Sequence, residues 1–388
     1  MTGAGSPPAP AHQPGRLPSV GLFTYSTLPR GSVVHAAHLA EALADAAWPV
    51  TLYALDKDRR GFFRPLRAPL VLVPATGTPP TTAELVRLRA AELADFLRER
   101  PRHDLHHAED CLTASGLLAL GVPFIRTVHH VERFDDPYLA RCQERSIREA
   151  ARCLTVSAAA ARDVHSIFGV DTHFIGNGVA VDRFHQVDRP RVDAWAARLL
   201  APPAAGPVLL AVGGVEERKN TLRILGAFTR IAARHPAAQL WILGGATVLD
   251  HGAYRAAFDG ALLALPPTVR NRVVELGVLA DDDVPAVFRL ADVVTLPSLH
   301  EGFGLAALEA LAAGKPLVVS NAPPFTEFLD GSCATLVDPH SEEAIAAGVL
   351  DALARDRRAA GLQRARAHSW TAVAARHAEQ YLGEVGHA

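Results

Sequence analysis

The sequence predicts an α/β protein built from two doubly wound parallel sheets, and three observations support this. Its 388 residues exceed the usual size of one domain. Hydrophobic residues make up 49% of the chain and charged residues 21%, which is enough apolar material for large buried cores. Short runs rich in Val, Leu and Ile alternate with Ala- and Leu-rich helical patterns, as is typical of parallel strands joined by crossover helices.

The first predicted domain covers residues 19–180 and follows a tail at 1–18 that we expect to be disordered, because it is rich in proline and lacks a hydrophobic pattern. Helical patterns at 33–47 and 82–98 lie between its first strands. The predicted strands are 19–26, 50–55, 70–73, 104–107, 124–128, 153–156 and 172–175.

The second predicted domain covers residues 207–368 and is reached through a linker at 181–206, which carries prolines and glycines near its C-terminal end. A final helix at 369–388 is expected to pack back on the N-terminal domain. Because open α/β sheets bind ligands beyond the carboxyl ends of their strands, we expect a substrate cleft between the domains. The predicted strands are 207–212, 239–243, 273–275, 293–296, 317–319 and 335–337.

Composition excludes several classes of protein. Lys and Arg total 39 against 41 Asp and Glu, so there is no bulk positive field to hold nucleic acid. The four cysteines have neither zinc-site nor CxxC spacing, and we expect reduced core thiols. No apolar run reaches the roughly 18 residues of a membrane-spanning helix. The first 18 residues do not resemble a signal peptide, so a cytoplasmic location is expected.

A glycine loop with acidic residues follows the predicted strand 293–296. Gly302 and Gly304 let the backbone approach a ligand, and the helix that begins near Gly304 offers its positive end to an anion. Glu309 falls on the inward face of this helix. Two interpretations of Glu309 stay open: a structural ion pair or cap, or a carboxylate that accepts hydrogen bonds from ribose or sugar hydroxyls.

A second glycine loop follows the predicted strand 207–212. It reads Gly213-Gly214-Val-Glu-Glu-Arg218-Lys219-Asn220 and leads into a helix. Arg218 and Lys219 could together neutralise a diphosphate leaving group. The alternative is a solvated charged loop. It is not a phosphate-binding P-loop, because Lys219 is followed by Asn220 and not by Ser or Thr.

These two loops, in this order, resemble the donor-binding domain of glycosyltransferase family 4, retaining enzymes of the GT-B fold with two Rossmann-like domains facing across a cleft. The likeness runs from the first strand to Trp370 and includes segments 127–129, 177–179 and 276–279.

The resemblance implies a role for each matching residue. Arg218 and Lys219 would bind the donor diphosphate, Glu309 the ribose, and Glu301 the transferred sugar. His129 would approach the reacting centre, with His130 a bystander. Backbone groups would complete the donor site at Gly213, Gly214, Val278, Leu279, Gly302, Phe303, Gly304 and Leu305.

The first glycine loop departs from the family. Where the family commonly has a Gly-Gly-like turn, this chain has Pro29 and Arg30 before Gly31. Gly31 is still expected to let the backbone meet the donor phosphate.

No metal and no cofactor are predicted, and a nucleotide diphosphate sugar is the donor substrate that the resemblance implies. Two segments mimic the metal-binding Asp-x-Asp of the other glycosyltransferase fold. In Asp56-Lys57-Asp58 the intervening Lys and the following arginines would repel a cation, and Asp281–Asp283 falls where a helix N-cap is expected.

The predicted function is retaining, metal-independent transfer of a sugar to an acceptor that the sequence does not identify. The alternatives are a non-catalytic sugar-nucleotide sensor or scaffold, and a GT-B epimerase or phosphorylase. A loop after the second strand could touch a membrane weakly, against the alternative of a solvated loop. The cationic and aromatic residues of that loop are Arg59, Arg60, Phe62, Phe63 and Arg64.

Overall fold

The computed structural model describes residues 16–57, 59–199, 206–245 and 252–385. Most of the predicted tail, and Asp58, lie outside these residues. The chain divides into two compact units. The first comprises Met1–Gly176 and Trp370–Ala388, and the second Asn177–Ser369.

The first unit contains a sheet of seven strands. Its strands are β1 (Val20–Thr24), β2 (Val50–Lys57), β3 (Leu70–Ala75), β4 (Leu105–Ala108), β5 (Ile125–Val128), β6 (Arg152–Thr155) and β7 (His173–Phe174). The helices that follow them are α1 (Gly31–Asp45), α2 (Thr82–Arg98), α3 (Cys111–Leu120), α4 (Pro137–Arg148) and α5 (Ala158–Phe168).

The strand order of this sheet is β3-β2-β1-β4-β5-β6-β7, with every pairing parallel. The winding reverses between β1 and β4, so the loops after these strands diverge and leave space at the carboxyl edge. Phe23 and Leu117 belong to a core cluster that packs helices on this sheet. Glu109 and His129 follow β4 and β5, next to the reversal.

The second unit contains a sheet of six strands and most of the remaining helices. The strands are β8 (Val208–Val212), β9 (Gln239–Leu243), β10 (Val273–Gly277), β11 (Val293–Leu296), β12 (Leu317–Ser320) and β13 (Thr335–Val337). The helices are α6 (Val181–His185), α7 (Arg189–Leu199), α8 (Thr221–Arg234), α9 (Gly252–Ala264), α10 (Pro267–Arg270), α11 (Val284–Leu290), α12 (Leu305–Ala312), α13 (Phe325–Phe328), α14 (Glu342–Ala354) and α15 (Arg358–Arg366).

The strand order of the second sheet is β10-β9-β8-β11-β12-β13, again all parallel. Its winding reverses between β8 and β11. Phe228 and Phe258 are fully buried in the core on one face of this sheet. The two glycine loops follow β8 and β11, so the topology places them side by side.

Every strand predicted from the sequence overlaps an observed strand. The predicted linker at 181–206 is wrong over residues 181–199, which form α6 and α7 within the second unit. Pro190 lies in the first turn of α7, where a helix tolerates proline because that N–H has no intrahelical acceptor. The segment 200–205 lies outside the described residues.

The last helix, α16 (Trp370–Val385), packs on the first unit. The buried Tyr381 hydroxyl lies 2.7 Å from Nδ1 of His107 on β4. Arg376 donates a hydrogen bond of 2.7 Å to the carbonyl of Ile175. Among the described helices, none combines the length and apolar character that crossing a bilayer requires.

Candidate active site

The loops after β8 and β11 are joined to each other by hydrogen bonds. The Leu299 amide donates to the carbonyl of Arg218 over 2.8 Å. Asn220, buried and in the left-handed region with φ 62°, donates from Nδ2 to the carbonyl of Pro297 at 2.9 Å. Asn tolerates this backbone conformation better than most residues. Asn220 therefore fixes the end of one loop against the start of the other.

Four ionisable side chains from these loops form a charged cluster: Glu216, Arg218, Lys219 and Glu301. Lys219 Nζ lies 2.5 Å from Glu301 Oε1, and Arg218 Nη1 lies 3.7 Å from Glu301 Oε2. Arg218 Nε lies 2.9 Å from Oε2 of Glu216, whose side chain is fully buried. Although burial opposes it, Lys219 and Arg218 hold the pKa of Glu301 below its usual value. Glu301 is therefore an anion in this cluster at neutral pH.

The charged cluster is not a solvated loop. The Lys219 side chain is only 14% exposed, whereas Arg218 keeps 38% of its side chain exposed. Neither carboxylate oxygen of Glu216 has a hydrogen bond from a described residue, so its charge is balanced mainly by Arg218. Two adjacent cations, one still accessible, are suited to a ligand that carries several negative charges.

Glycine is required next to Lys219. Gly213 has φ 122°, and a Cβ at this position would lie 2.5 Å from Lys219 Cε. Gly214 is less tightly packed and faces another loop, because its Cβ would lie 3.1 Å from the carbonyl oxygen of Gly245. Gly213 thus leaves room for the Lys219 side chain to reach Glu301.

The loop after β11 is anchored by an aromatic ring. Phe303 is 6% exposed and its ring stacks on Phe328, with 4.6 Å between the ring centroids. Its side chain belongs to the core, so Phe303 can offer a ligand only its backbone. Gly302 precedes it in the loop, and Gly304 is the N-cap of α12, of which Leu305 is the first residue. The first N–H groups of a helix lack intrahelical acceptors and can meet an anion.

Glu309 lies on α12 and is partly buried. Burial raises its pKa to about 7, although Arg183 and Lys219 act in the opposite direction. Arg183 pairs with Asp281, with Nη2 2.9 Å from Oδ1, and no described residue makes a hydrogen bond or ion pair with the Glu309 carboxylate. The structure therefore disfavours the structural ion pair as an explanation of Glu309.

Two further groups of predicted donor-site residues lie on separate elements. Val278 and Leu279 follow β10, and Val278 is 61% exposed. Gly31 is the first residue of α1 in the other unit, with open space where a Cβ would lie. A ligand could therefore reach the backbone at Val278, after β10, and at Gly31, at the start of α1.

His129 follows β5 in the first unit and pairs with a carboxylate. Its Nε2 lies 2.8 Å from Oε2 of Glu109, and its side chain is 12% exposed. Burial, followed by Arg126 and His130, lowers the pKa of His129 well below its usual value. His130 is exposed and lies 3.0 Å from Glu132. The sequence predicts no role for Glu109 or Glu216. The available signals are that Glu109 directly follows a buried strand and that Glu216 lies in the glycine loop after β8.

The segments that mimic Asp-x-Asp have other partners. Asp281–Asp283 forms a 3₁₀ turn directly before α11, and Asp283 is the N-cap residue of that helix, where the sequence predicted an N-cap, although its side chain makes no capping hydrogen bond. Asp281 pairs with Arg183, and Asp283 with Arg191 over 2.9 Å. Asp56 accepts hydrogen bonds from the amides of Arg60 and Gly61.

The loop predicted to touch a membrane is partly tied to the first unit. Both terminal nitrogens of Arg64 donate to the carboxylate of Glu41, and the Arg64 side chain is 12% exposed. Arg64 is therefore not available to an anionic surface, contrary to the prediction. For the other residues of this loop, membrane contact stays a prediction, as does the cytoplasmic location.

Two glycosyltransferase family models match this chain. The family described as Glycosyl transferases group 1 matches residues 199–368, and Glycosyltransferase Family 4 matches 29–183. Glycogen synthase of Mycobacterium tuberculosis is 32% identical, over 72% of this chain and 69% of the relative. A D-inositol 3-phosphate glycosyltransferase of Salinispora arenicola is 30% identical, over 71% and 67%.

Solved structures share the fold. Sucrose-phosphate synthase of Thermosynechococcus elongatus superimposes with a TM-score of 0.79 at 20% identity, over 96% of this chain and 100% of that one. Anabaena HepE in complex with UDP-glucose gives 0.75 at 18% identity, over 94% and 100%. The chain has two parallel-sheet α/β units, the two glycine loops and these matches to known proteins. It therefore belongs to glycosyltransferase family 4 and is a glycosyltransferase of the GT-B fold.

Proposed function

We propose that this glycosyltransferase moves a sugar from a nucleotide diphosphate sugar to its acceptor with retention of anomeric configuration and without a metal ion or cofactor. The observation that carries the proposal is the charged cluster, in which Arg218 and Lys219 lie side by side on Glu301. Two fixed cations can stabilise the negative charge of the leaving diphosphate, as a divalent metal ion does in metal-dependent enzymes.

In the proposed reaction the bond between the anomeric carbon and the distal phosphate oxygen breaks, and the acceptor hydroxyl forms the new bond on the same face. The acceptor proton passes to the departing phosphate oxygen. Arg218 and Lys219 stabilise the charge that grows on this phosphate, because both are held in place before the reaction begins. Glu301 keeps the Lys219 ammonium in position and can also accept hydrogen bonds from sugar hydroxyls.

The remaining predicted residues would recognise the donor. Glu309 would accept hydrogen bonds from the ribose, and His129 would act on the sugar being transferred. The positions that would contribute backbone groups are Gly31, Gly213, Gly214, Val278, Leu279, Gly302, Phe303, Gly304 and Leu305. UDP-glucose in the complex of HepE supports a nucleotide-sugar donor for this chain.

The test is to incubate the full chain, in buffer with EDTA, with UDP-glucose, ADP-glucose or GDP-mannose and to follow the products by proton NMR. D-inositol 3-phosphate, after which one relative is named, is the first acceptor to try, and water is the default acceptor. We expect release of the nucleoside diphosphate and a sugar product with the anomeric configuration of the donor. An inverted product, or binding of nucleotide sugars without turnover of any, would contradict the proposal.

A further inference from the structure

Glu109 is a buried carboxylate with an unusual hydrogen-bond environment. It lies just after β4 and is 1% exposed. Its Oε2 lies 2.8 Å from His129 Nε2, whereas its Oε1 has no hydrogen-bond partner among the described residues. His107 Nε2 is 3.8 Å from Oε1 but is already bonded to Thr127 Oγ1 at 2.7 Å. Oε1 of this buried carboxyl group therefore has no hydrogen-bond partner among the described residues.

The unpartnered Oε1 indicates that Glu109 is a neutral carboxylic acid. A carboxylate anion with an unpartnered oxygen in a buried site is costly, whereas the carbonyl oxygen of a neutral acid is much cheaper to leave unpaired. Arg126 is the cation nearby, but its Nη1 donates a hydrogen bond to the carbonyl of Thr127. Burial raises the pKa of Glu109 to about 7, against the opposing effects of His35 and Arg126.

We propose that Glu109 is a positioning residue that holds a proton at or below neutral pH and donates it to Nε2 of His129. This inference rests on the proposed role of His129. With Nε2 accepting, the ring proton must be on Nδ1, so His129 presents an N–H donor to the transferred sugar. If the shared proton moves onto Nε2, the Nδ1 proton remains, and the ring is still a donor.

Other titratable and charged groups face this pair from the elements packed around it. They are His35 on α1, His107 on β4, Asp110 at the start of α3, Arg126 on β5, His130 after β5, and His377 and Tyr381 on α16. Burial lowers the pKa of His377 to about 3 and that of His107 well below its usual value. These two rings therefore stay neutral when Glu109 ionises.

Imidazole ¹⁵N NMR on the ligand-free full chain tests the proposal without any substrate. His129 is assigned through the signal that disappears in His129→Asn. In the wild-type protein at about pH 6, the ring proton of His129 should be on Nδ1. Ionisation of Glu109 should move the ring proton of His129 to Nε2 by about pH 8.5. In Glu109→Gln, His129 should keep its proton on Nδ1 at both pH values. The Gln amide group donates to Nε2 of His129, and the Gln carbonyl takes the place of the unpartnered Oε1.

Glu132→Gln is the matched control, because it neutralises the carboxylate beside the exposed His130 and should leave the His129 signals unchanged. A proton on Nε2 of His129 at about pH 6 in the unchanged protein would overturn the proposal. So would a Glu109→Gln variant whose His129 carries its proton on Nε2 at both pH values.

Kinetics distinguish positioning from a structural role. We expect Glu109→Ala to lower kcat about tenfold, because the loss of one hydrogen bond raises the activation barrier by about that factor in rate. Glu109→Gln should recover most of this loss. In a His129→Ala background, Glu109→Ala should have no further effect on kcat. Additive losses in the two backgrounds would overturn the proposal. Absence of turnover in the unchanged protein would reject the proposed function, and the NMR result would still decide the state of Glu109.

Discussion

Replacing Lys219 with Ala should lower the rate of sugar transfer by about a hundredfold or more, because the ammonium stabilises charge that develops on the leaving phosphate. The loss should appear in kcat as well as in kcat/KM, since the charge is greatest in the transition state. Steady-state kinetics on Lys219→Ala and Arg218→Ala would measure it. Arg218→Ala should also lower the melting temperature, because it leaves the buried Glu216 carboxylate without its cation.

Arg230→Ala is the matched control for these variants. Arg230 lies on α8 of the same unit, outside the charged cluster, and pairs with Glu343 at the surface. It should leave both turnover and nucleotide affinity unchanged. Near-normal turnover in both Lys219→Ala and Arg218→Ala would contradict the assignment of the charged cluster to the donor diphosphate.

Glu309→Gln should weaken nucleotide affinity about ten- to a hundredfold, because a charged hydrogen bond to ribose becomes a neutral one. The variant should not lose stability. The pKa of Glu309 is raised in the folded protein, so its ionisation disfavours folding: stability present at low pH is lost as the pH rises through about 7. Above that pH the neutral Gln should raise the melting temperature of the unliganded protein.

The same pKa predicts how nucleotide affinity depends on pH. Nucleotide binding through the Glu309 carboxylate should weaken as the pH falls below about 7, where the group is protonated, and this dependence should be absent in Glu309→Gln. Calorimetric titration and thermal melting on one preparation would measure both effects. Unchanged nucleotide affinity with a lowered melting temperature would show that Glu309 has only a structural role.

Strands such as β8, β11 and β12 could be predicted because each is a short, mainly apolar run, and burial on both faces removes the polar alternation that would obscure it. The glycine loops could be predicted because Gly213 directly follows a strand pattern and Gly304 directly precedes a helical pattern. Helix α7 could not, because the sequence signal of Pro190 is the same in a linker and in the first turn of a helix.

The candidate site was harder to predict where a residue acts through a distant partner. Glu109 is followed by Asp110, and its importance comes from His129, which is 20 positions away and lies beside it in the folded chain. Glu216 is followed by Glu217, and only the fold shows that Glu216 is the acidic residue buried beside Arg218. The engagement of Arg64 by Glu41 likewise joins residues 23 positions apart. No local spacing encodes the pairs of Glu109 with His129 and of Glu41 with Arg64, so they become visible only when the sheet and its helices are assembled.

In the proposed function, Arg218 and Lys219 hold the diphosphate of the donor without a metal. The most direct measurement is calorimetric titration of UDP, ADP and GDP into the full chain in the presence of EDTA, repeated with Lys219→Ala. We expect one of these nucleotides to bind at a single site in EDTA, more weakly at higher salt, with Kd raised at least about tenfold in the variant. Binding that appears only when Mg²⁺ or Mn²⁺ is supplied, or that is unchanged in Lys219→Ala, would contradict the account.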